Sequence, residues 1–227
     1  MTAARPAPGI ARLEDRADAG RRLAQRLERY RGSQPVVLGI PRGGVPVAYE
    51  IARHLGAELG VLVVRKIGAP GDPEYGLGAV AEGGAVLFDE ARARAMGYRR
   101  SDLAPVIERE LAEVEARVRR FRGDFPSPAL AGRSVIVVDD GVATGGTVET
   151  AVAVVRRDGP REVVVALGVA PPEALPRLRA TSEAVEVALV PDYFEAVGQW
   201  YRDFEPVADA EVARLLLNAR SWLPPAG

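Results

Sequence analysis

The sequence predicts an α/β fold with a central, mainly parallel β-sheet flanked by helices. Short valine-rich apolar runs alternate along the chain with longer segments in which apolar residues recur every three or four positions. Strands that alternate with helices form parallel sheets with right-handed crossover connections. With 227 residues, 48% of them hydrophobic, the chain is long enough for one domain with a sizeable core.

The elements of the first part follow from these patterns. Residues 1–12 are rich in Pro and Ala, and we expect this stretch to be flexible. The apolar periodicity then predicts, in order, a helix over 15–30, a strand over 35–40, a helix over about 45–55 and a strand over 61–64. Pro46 is compatible with the second helix because it falls in the first turn.

The middle of the chain combines a predicted loop with a predicted hairpin. Residues 67–76 are rich in Gly and Pro and indicate a mobile loop. Two apolar runs separated by Glu-Gly-Gly indicate a small antiparallel hairpin of residues 77–81 and 85–88. Helices are predicted at about 89–96 and 101–122. The apolar stripe of the second helix is expected to pack on the body of the domain, with a subunit contact as the alternative.

The second half of the chain continues the alternation. Its elements are predicted, in order, as a strand over 134–139, a helix to about 157, a strand over 163–169, a helix near 172–180, a strand over 185–190 and a helix over about 209–218. Residues 13–227 are therefore expected to form a single domain. Ligands of parallel sheets bind beyond the carboxyl ends of the strands, so the loops at those ends can converge on one site. These loops start at Pro41, Arg65, Asp139 and Pro191.

The most informative segment is 135–147, which reads Val-Ile-Val-Val-Asp-Asp-Gly-Val-Ala-Thr-Gly-Gly-Thr. A short buried strand ends in two carboxylates, Asp139 and Asp140, and a loop of small residues leads into a helix. The loop contains Gly141, Ala143, Thr144, Gly145, Gly146 and Thr147. Glycines let backbone N–H groups approach a ligand, threonines add hydroxyl donors, and a helix N-terminus favours an anion such as phosphate. The carboxylates fit one sugar-length away, where they accept hydrogen bonds from a vicinal diol, so the segment predicts a ribose 5-phosphate ligand.

This segment resembles the phosphoribosyl-diphosphate (PRPP) binding motif of the type I phosphoribosyltransferases, in which two acidic residues precede a Thr-Gly-x-Thr phosphate loop. The resemblance covers roughly residues 35–205. It implies a type I phosphoribosyltransferase-like fold, PRPP as a substrate, and Mg²⁺ as a cofactor held mainly by PRPP, with no certain metal ligand in the protein. Other phosphate motifs do not match, because the chain contains neither Gly-x-x-x-x-Gly-Lys-Ser/Thr nor, in this loop, Gly-x-Gly-x-x-Gly.

Composition excludes several other kinds of site. The chain has no cysteine, which rules out disulfides, zinc–thiolate sites and thiol nucleophiles, and His54 is its single histidine. The formal net charge of −1 provides no basic field, so we expect no nucleic-acid partner. The N-terminus does not resemble a signal peptide, and no run approaches the roughly 20 apolar residues of a membrane span. We therefore expect no membrane partner and a cytoplasmic location.

The resemblance assigns roles to two groups of residues around basic side chains. Arg42, Gly43 and Gly44 resemble the pyrophosphate loop of the family. Arg65 and Lys66 resemble the basic pair that precedes the flexible catalytic loop of adenine-type members. Lys66 is also the single lysine among 30 basic residues. The resemblance thus implies that these five residues bind pyrophosphate, and that Arg42 and Lys66 contribute to catalysis.

A lid and a hood complete the expected site. The segment 67–84 is expected to close over the ligand. Within it Glu82, with Glu74 as the alternative, resembles the glutamate that manages the proton of the base in adenine-type enzymes. The segment 191–205 is similar to the hood of hypoxanthine-type enzymes, in which an aromatic side chain stacks on the base. The stacking candidates are Phe194 and Trp200. Hood packing is the alternative role of both.

These features predict an enzyme, a phosphoribosyltransferase of nucleotide salvage that joins PRPP to a purine-like nitrogenous base and releases pyrophosphate. The features that indicate the acceptor base disagree, because Ala143 matches adenine-type members while the hood resembles that of hypoxanthine-type members. A homodimer is one possible assembly. The alternative function is a non-catalytic regulator that binds PRPP or a nucleotide. A PRPP synthase is disfavoured, because it normally needs a second similar domain.

Overall fold

The computed structural model describes residues 11–70 and 72–222, with side chains described throughout these ranges except at 72–74. Most of the stretch 1–12 that the sequence predicts to be flexible lies outside the described residues. The final residues 223–227 of the predicted domain also lie outside them.

The described residues form eight strands and seven α-helices, besides short 3-10 turns. The strands are β1 (Val36–Gly39), β2 (Glu58–Val61), β3 (Val64–Ala69), β4 (Asp72–Ala81), β5 (Ala85–Phe88), β6 (Ser134–Gly141), β7 (Glu162–Val169) and β8 (Ala184–Leu189). The helices are α1 (Arg16–Arg26), α2 (Gly44–Leu55), α3 (Glu90–Ala95), α4 (Ala104–Arg122), α5 (Gly146–Arg156), α6 (Leu175–Thr181) and α7 (Asp209–Arg220). Among these described helices, none has the length and hydropathy of a membrane span.

Five strands form a fully parallel sheet in the order β2-β1-β6-β7-β8, as the alternation of elements predicted. β1 lies beside β6 in a register that pairs Val36 with Val135 and Gly39 with Val138. Helices cover both faces, since α1 and α2 pack on one side and α5 and α6 on the other. This double burial explains the continuous valine-rich runs of the central strands. The carboxyl ends of β1 and β6 consequently lie side by side at one edge of the sheet.

The remaining three strands form an antiparallel sheet in the order β3-β4-β5, and here two predictions are wrong. The strand expected over 61–64 is the end of β2 and the start of β3, and most of the loop expected over 67–76 is strand. Although the Gly and Pro content suggested a loop, Ile67 and Leu77 are fully buried in a cluster with α4, and this burial stabilises the strands. A register shift at Gly68 accommodates the irregular backbone.

The apolar stripe of α4 packs on the body of the domain, as predicted. Its buried apolar members are Ile107, Val114, Val118 and Phe121. They share a hydrophobic cluster with residues of β3, β4 and α7. This packing fixes the polar face of α4 beside β3, close to the first turns of α5.

Candidate functional site

The turn between β1 and α2 lies directly against the end of β6. A Cβ atom at Gly43 would lie 1.9 Å from Oδ2 of Asp140, and one at Gly44 would lie 2.5 Å from the carbonyl oxygen of Val138. A side chain at Gly43 would displace the Asp140 carboxylate, and one at Gly44 would overlap the backbone of β6. The structure therefore brings the predicted pyrophosphate loop into contact with the predicted ribose-binding carboxylates.

Asp139 lies at the carboxyl end of β6, with its side chain held against the backbone. Its Oδ1 accepts a hydrogen bond from the amide of Asp140 at 2.9 Å. Burial raises the pKa of Asp139 well above the usual range of an aspartate, and the neighbouring Asp140 carboxylate raises it further. A hydrogen bond from a ligand hydroxyl would lower this pKa again, because it would stabilise the charged form of Asp139.

Asp140 is held by residues that the sequence did not single out. Nε of Arg16 donates to Oδ2 of Asp140 at 2.8 Å, and Nη1 of Arg16 donates to the carbonyl oxygen of Glu205 at 2.8 Å. The Tyr201 hydroxyl donates to the backbone carbonyl of Asp140 at 2.6 Å. Phe204 joins both partners, since the Arg16 guanidinium lies 4.0 Å from its ring centre and the Tyr201 ring stacks on it at 5.0 Å. Arg16 and Tyr201 are 124 and 61 positions away from Asp140, so no local sequence pattern marks them.

The loop between β6 and α5 presents an open helix N-terminus. Gly145, whose φ of 83° favours glycine, precedes the first helical residue Gly146. No described side chain caps this end of the helix. Ala143, Thr144 and Thr147 are exposed around it. The unpaired N–H groups of the first turn, the threonine hydroxyls and the positive end of the helix dipole together make a suitable site for a phosphate group.

The two basic residues of β3 differ in their contacts. Lys66 is exposed, and among the residues that the structure describes its side chain makes no hydrogen bond or ion pair. It lines a cleft together with Thr147 and Thr150 of α5. Arg65 is engaged, because its Nε donates to Oε2 of the buried Glu110 at 2.5 Å. The structure thus brings Lys66 to the predicted phosphate loop and holds Arg65 in an ion pair at the same cleft.

Arg42 extends from the glycine turn to the first residue of α7. Its Nη1 lies 3.5 Å from Oδ1 of Asp209, while Arg120 binds the other carboxylate oxygen at 2.8 Å. The hydrogen bond from Arg120 lowers the pKa of Asp209 below its usual range, and Arg42 contributes to the same effect. The contact of Arg42 is long and exposed, so Arg42 can exchange it for an anionic ligand at little cost.

Glu82 is not brought to the site that the sequence predicted for it. Its carboxylate accepts hydrogen bonds from the Arg122 guanidinium, one of them from Nη1 at 2.9 Å, and from the Ser127 hydroxyl at 2.8 Å. It lines a cleft different from those lined by Lys66. Arg122 at the end of α4 therefore neutralises a turn carboxylate that was expected to serve as an acid or base. The side chain of Glu74, the alternative, lies outside the described residues.

The two predicted stacking residues differ in burial, because Trp200 belongs to the hydrophobic core and Phe194 lies at its margin. Trp200 is 4% exposed and lies in the cluster covered by α1, where its carbonyl oxygen accepts a hydrogen bond from the Leu13 amide at 2.9 Å. This burial contradicts base stacking by Trp200, since neighbouring side chains already cover its ring. Phe194 is partly buried and packs against the same cluster. Tyr193, by contrast, is 62% exposed.

Comparisons with known proteins point to one family. The model of the phosphoribosyl transferase domain family matches residues 9–195. Two curated proteins of Mycobacterium tuberculosis, MT0597 of strain CDC 1551 / Oshkosh and Rv0571c of strain ATCC 25618 / H37Rv, are provisionally named phosphoribosyl transferases. Each is 41% identical over 215 residues, which cover 95% of this chain and 48% of theirs. The chain thus spans about half the length of the curated relatives it matches.

The fold also matches a solved structure at high identity. The crystal structure of TT1426 from Thermus thermophilus is 47% identical and superposes with a TM-score of 0.81. The match covers 91% of this chain and 98% of that chain. The two proteins therefore share the parallel sheet and its surrounding helices.

Proposed function

The chain belongs to the phosphoribosyl transferase domain family, and on that premise we propose that it transfers the ribose 5-phosphate group of PRPP to a nitrogenous base. The products are a nucleoside 5′-monophosphate and pyrophosphate. One observation carries the proposal: the carboxylates at the end of β6, the open N-terminus of α5 and the glycine turn after β1 meet at one edge of the sheet.

The ribose 5-phosphate end of PRPP fits the loop after β6. The phosphate oxygens can accept hydrogen bonds from the free amides at the start of α5 and from the hydroxyls of Thr144 and Thr147. The ribose hydroxyls can donate to Asp139 and Asp140, which lie at the other end of the same loop. Ala143 can offer only its backbone groups as hydrogen-bond partners, since its side chain has no polar atom.

The diphosphate end fits the basic and glycine-rich side of the site. The amides of Gly43 and Gly44 and the cations of Arg42, Arg65 and Lys66 are the groups that can bind it. Negative charge grows on pyrophosphate as its bond to ribose C1 breaks, so preorganised cations stabilise the transition state more than the ground state. Lys66 is available for this role, because it has no competing partner among the described residues.

Mg²⁺ is the cofactor of the proposed reaction. This ion prefers oxygen ligands, keeps several waters, and binds through one or two carboxylates together with substrate phosphates. Asp139 and Asp140 offer such oxygens, and among the described residues no cluster of three or more His, Cys, Asp or Glu side chains could hold a metal ion. The donor set thus fits an ion held mainly by the oxygens of PRPP. When bound, Mg²⁺ neutralises charge on the diphosphate.

The proposed acceptor is a purine-like base. Ala143 supports this choice, because adenine-type members of the family have alanine at the matching position of the loop. A role in nucleotide salvage, a cytoplasmic location and a homodimeric assembly complete the proposal.

The proposal is tested by incubating the protein with Mg²⁺, PRPP and a panel of purines and pyrimidines. Release of pyrophosphate and formation of a nucleotide are the readouts, and we expect both with at least one base. Binding of PRPP without release of pyrophosphate with any base would contradict the proposal and favour a non-catalytic binding protein.

Two variants locate the reaction at this site. Lys66→Ala and Asp140→Asn are each expected to lower turnover by at least about tenfold, because each variant loses a charged side chain that is proposed to contact PRPP. Arg94→Ala and Asp124→Asn are the matched controls, since both residues are exposed and lie outside the proposed site. Unchanged turnover in both Lys66→Ala and Asp140→Asn would place the reaction elsewhere.

A further inference from the structure

A cleft of about 680 Å³ lies between β3, α4 and the first two turns of α5. β3 contributes Arg65 and Lys66 to its wall, and α5 contributes Thr147 and Thr150. The opposite wall comes from α4, which carries none of the residues of the proposed function. The cleft is therefore continuous with the proposed phosphate loop through Thr147 and with the proposed diphosphate site through Lys66.

α4 lines this cleft with three charged residues, Arg109, Glu110 and Arg117. Both carboxylate oxygens of the buried Glu110 are occupied, one by Arg65 at 2.5 Å and the other by Arg109 at 3.0 Å. Burial alone would raise the pKa of Glu110, but hydrogen bonds from Arg65 and Arg109 hold it below its usual range. Glu110 thus acts as a positioning residue that fixes two cations at the wall of the cleft.

The lining of the cleft has a strong excess of positive charge. Four cations against one carboxylate leave a net charge of +3. Arg117 pairs with Glu113 at 2.8 Å, but both side chains of that pair are more than 40% exposed, so the pair is weak and exchangeable. A concave surface with excess guanidinium groups and nearby hydroxyl donors recognises an anion that carries several charged oxygens.

We propose that this cleft binds a phosphate-class polyanion of the size and charge of diphosphate, with Arg109 and Arg117 as additional binding residues. The inference deepens the proposed function and rests on it, because Lys66 and Thr147 belong to both sites. Two ligands carry such an anion: PRPP, through its diphosphate group, and free inorganic pyrophosphate. In both cases α4 supplies positive charge beyond that of the β1 and β3 residues.

The decisive comparison is between Arg117→Gln and Arg119→Gln. Both arginines lie on α4 and pair with a glutamate four positions earlier, at 2.8 Å and 4.0 Å, but of the two only Arg117 lines the cleft. Inorganic pyrophosphate with Mg²⁺ is titrated into the full chain by calorimetry. We expect Arg117→Gln to weaken binding about tenfold and Arg119→Gln to change it less than about twofold. Equal affinities in the two variants would overturn the inference.

Arg109→Gln provides a second variant at an exposed position. We expect it to weaken pyrophosphate binding by about fivefold to tenfold, since it removes one charge-assisted contact. Thermal unfolding of every variant checks that the fold is intact. Wild-type affinity for pyrophosphate in a folded Arg109→Gln protein would remove this residue from the site.

Steady-state kinetics with PRPP separate the two sources of the anion. A higher KM for PRPP in Arg117→Gln assigns the cleft to the diphosphate group of the substrate. An unchanged KM with weaker product inhibition by pyrophosphate assigns it to the free anion. A wild-type protein that binds pyrophosphate through Arg117 but forms no nucleotide would contradict the proposed function alone. If the wild type forms nucleotide but Arg117→Gln and Arg119→Gln have the same affinity for pyrophosphate, the same KM for PRPP and the same product inhibition, the inference about the cleft is wrong and the proposed function stands.

Discussion

Nε of Arg16 donates a hydrogen bond to Oδ2 of Asp140 at 2.8 Å, with the two side chains 12% and 14% exposed. The contact joins α1 to the strand end that carries the proposed ribose ligands. Arg16 is held on two further sides, by the ring of Phe204 and by the carbonyl oxygen of Glu205. The ion pair therefore fixes the Asp140 carboxylate through Oδ2.

Arg16→Gln is expected to destabilise the fold and to change sugar binding. Loss of this charge-assisted, largely buried hydrogen bond should cost about 2 kcal/mol of unfolding free energy. The KM for PRPP should change as well, because Asp140 loses the group that orients it. Denaturant unfolding and PRPP kinetics measure the two effects.

Arg22→Gln is the control for that variant. Arg22 lies on the same helix and pairs with Asp18, but its side chain is 45% exposed. Its replacement should cost less than about 0.5 kcal/mol and leave the KM unchanged. Equal destabilisation by the two substitutions would mean that the Arg16–Asp140 contact has no special role.

Gly43→Ala is expected to abolish PRPP binding with a modest loss of stability. The added Cβ would lie 1.9 Å from Oδ2 of Asp140, so either the turn or the carboxylate has to move. Overpacking of this kind costs about 1–3 kcal/mol. Gly76→Ala is the control for stability, because no described atom outside the adjacent residues lies within 4 Å of a Cβ built there. Thermal unfolding together with PRPP titration gives both readouts, and wild-type PRPP affinity in Gly43→Ala would contradict the close packing.

The order of strands and helices was predictable because apolar periodicity reports burial directly. The valine-rich run before Asp139 and the stripe of α4 both gave correct elements, and the family and the parallel sheet were predicted correctly as well. The antiparallel hairpin of 77–81 and 85–88 was also predicted correctly. The strand structure within 67–76 was not, since it depends on packing against α4, which is distant in sequence. The prediction of a loop relied on the local content of glycine and proline, which does not report this distant packing.

The site was predictable to the extent that it is local in sequence. The segment from Asp139 to Thr147 is a continuous strand, loop and helix start, so its chemistry is visible in the residues themselves. Arg16 and Tyr201 reach Asp140 across the fold, and a sequence pattern does not record such contacts. The ion pair of Glu82 escaped prediction for the same reason, because its partner Arg122 lies 40 positions later in the chain.

Tyr201→Phe is expected to loosen the contact between the 197–204 segment and the end of β6. The variant deletes the hydroxyl that donates to the carbonyl oxygen of Asp140 at 2.6 Å and keeps the buried ring. Leaving that acceptor unpaired should cost about 1–2 kcal/mol. Tyr193→Phe, at an exposed position, should cost less than about 0.5 kcal/mol. Equal unfolding free energies for the two variants would contradict a structural role for the hydrogen bond.

Asp139→Asn is expected to stabilise the protein at neutral pH while lowering its activity. Burial and the Asp140 carboxylate raise the pKa of Asp139 in the folded state above the value of about 3.9 of an unfolded aspartate. The folded state thus holds the proton more tightly than the unfolded state. Stability is therefore lost as the pH rises from about 4 through the folded pKa. The asparagine has no charge to bury, and its Oδ1 can still accept from the Asp140 amide.

The pH dependence distinguishes this effect from a general gain in stability. The advantage of Asp139→Asn over the wild type should be absent near pH 4, grow as the pH rises, and level off once Asp139 is ionised in both states. A wild type whose stability rises with pH relative to Asp139→Asn would mean that the folded state favours the carboxylate. Asp139 would then be a charge already stabilised by the protein, with less need of a sugar hydroxyl.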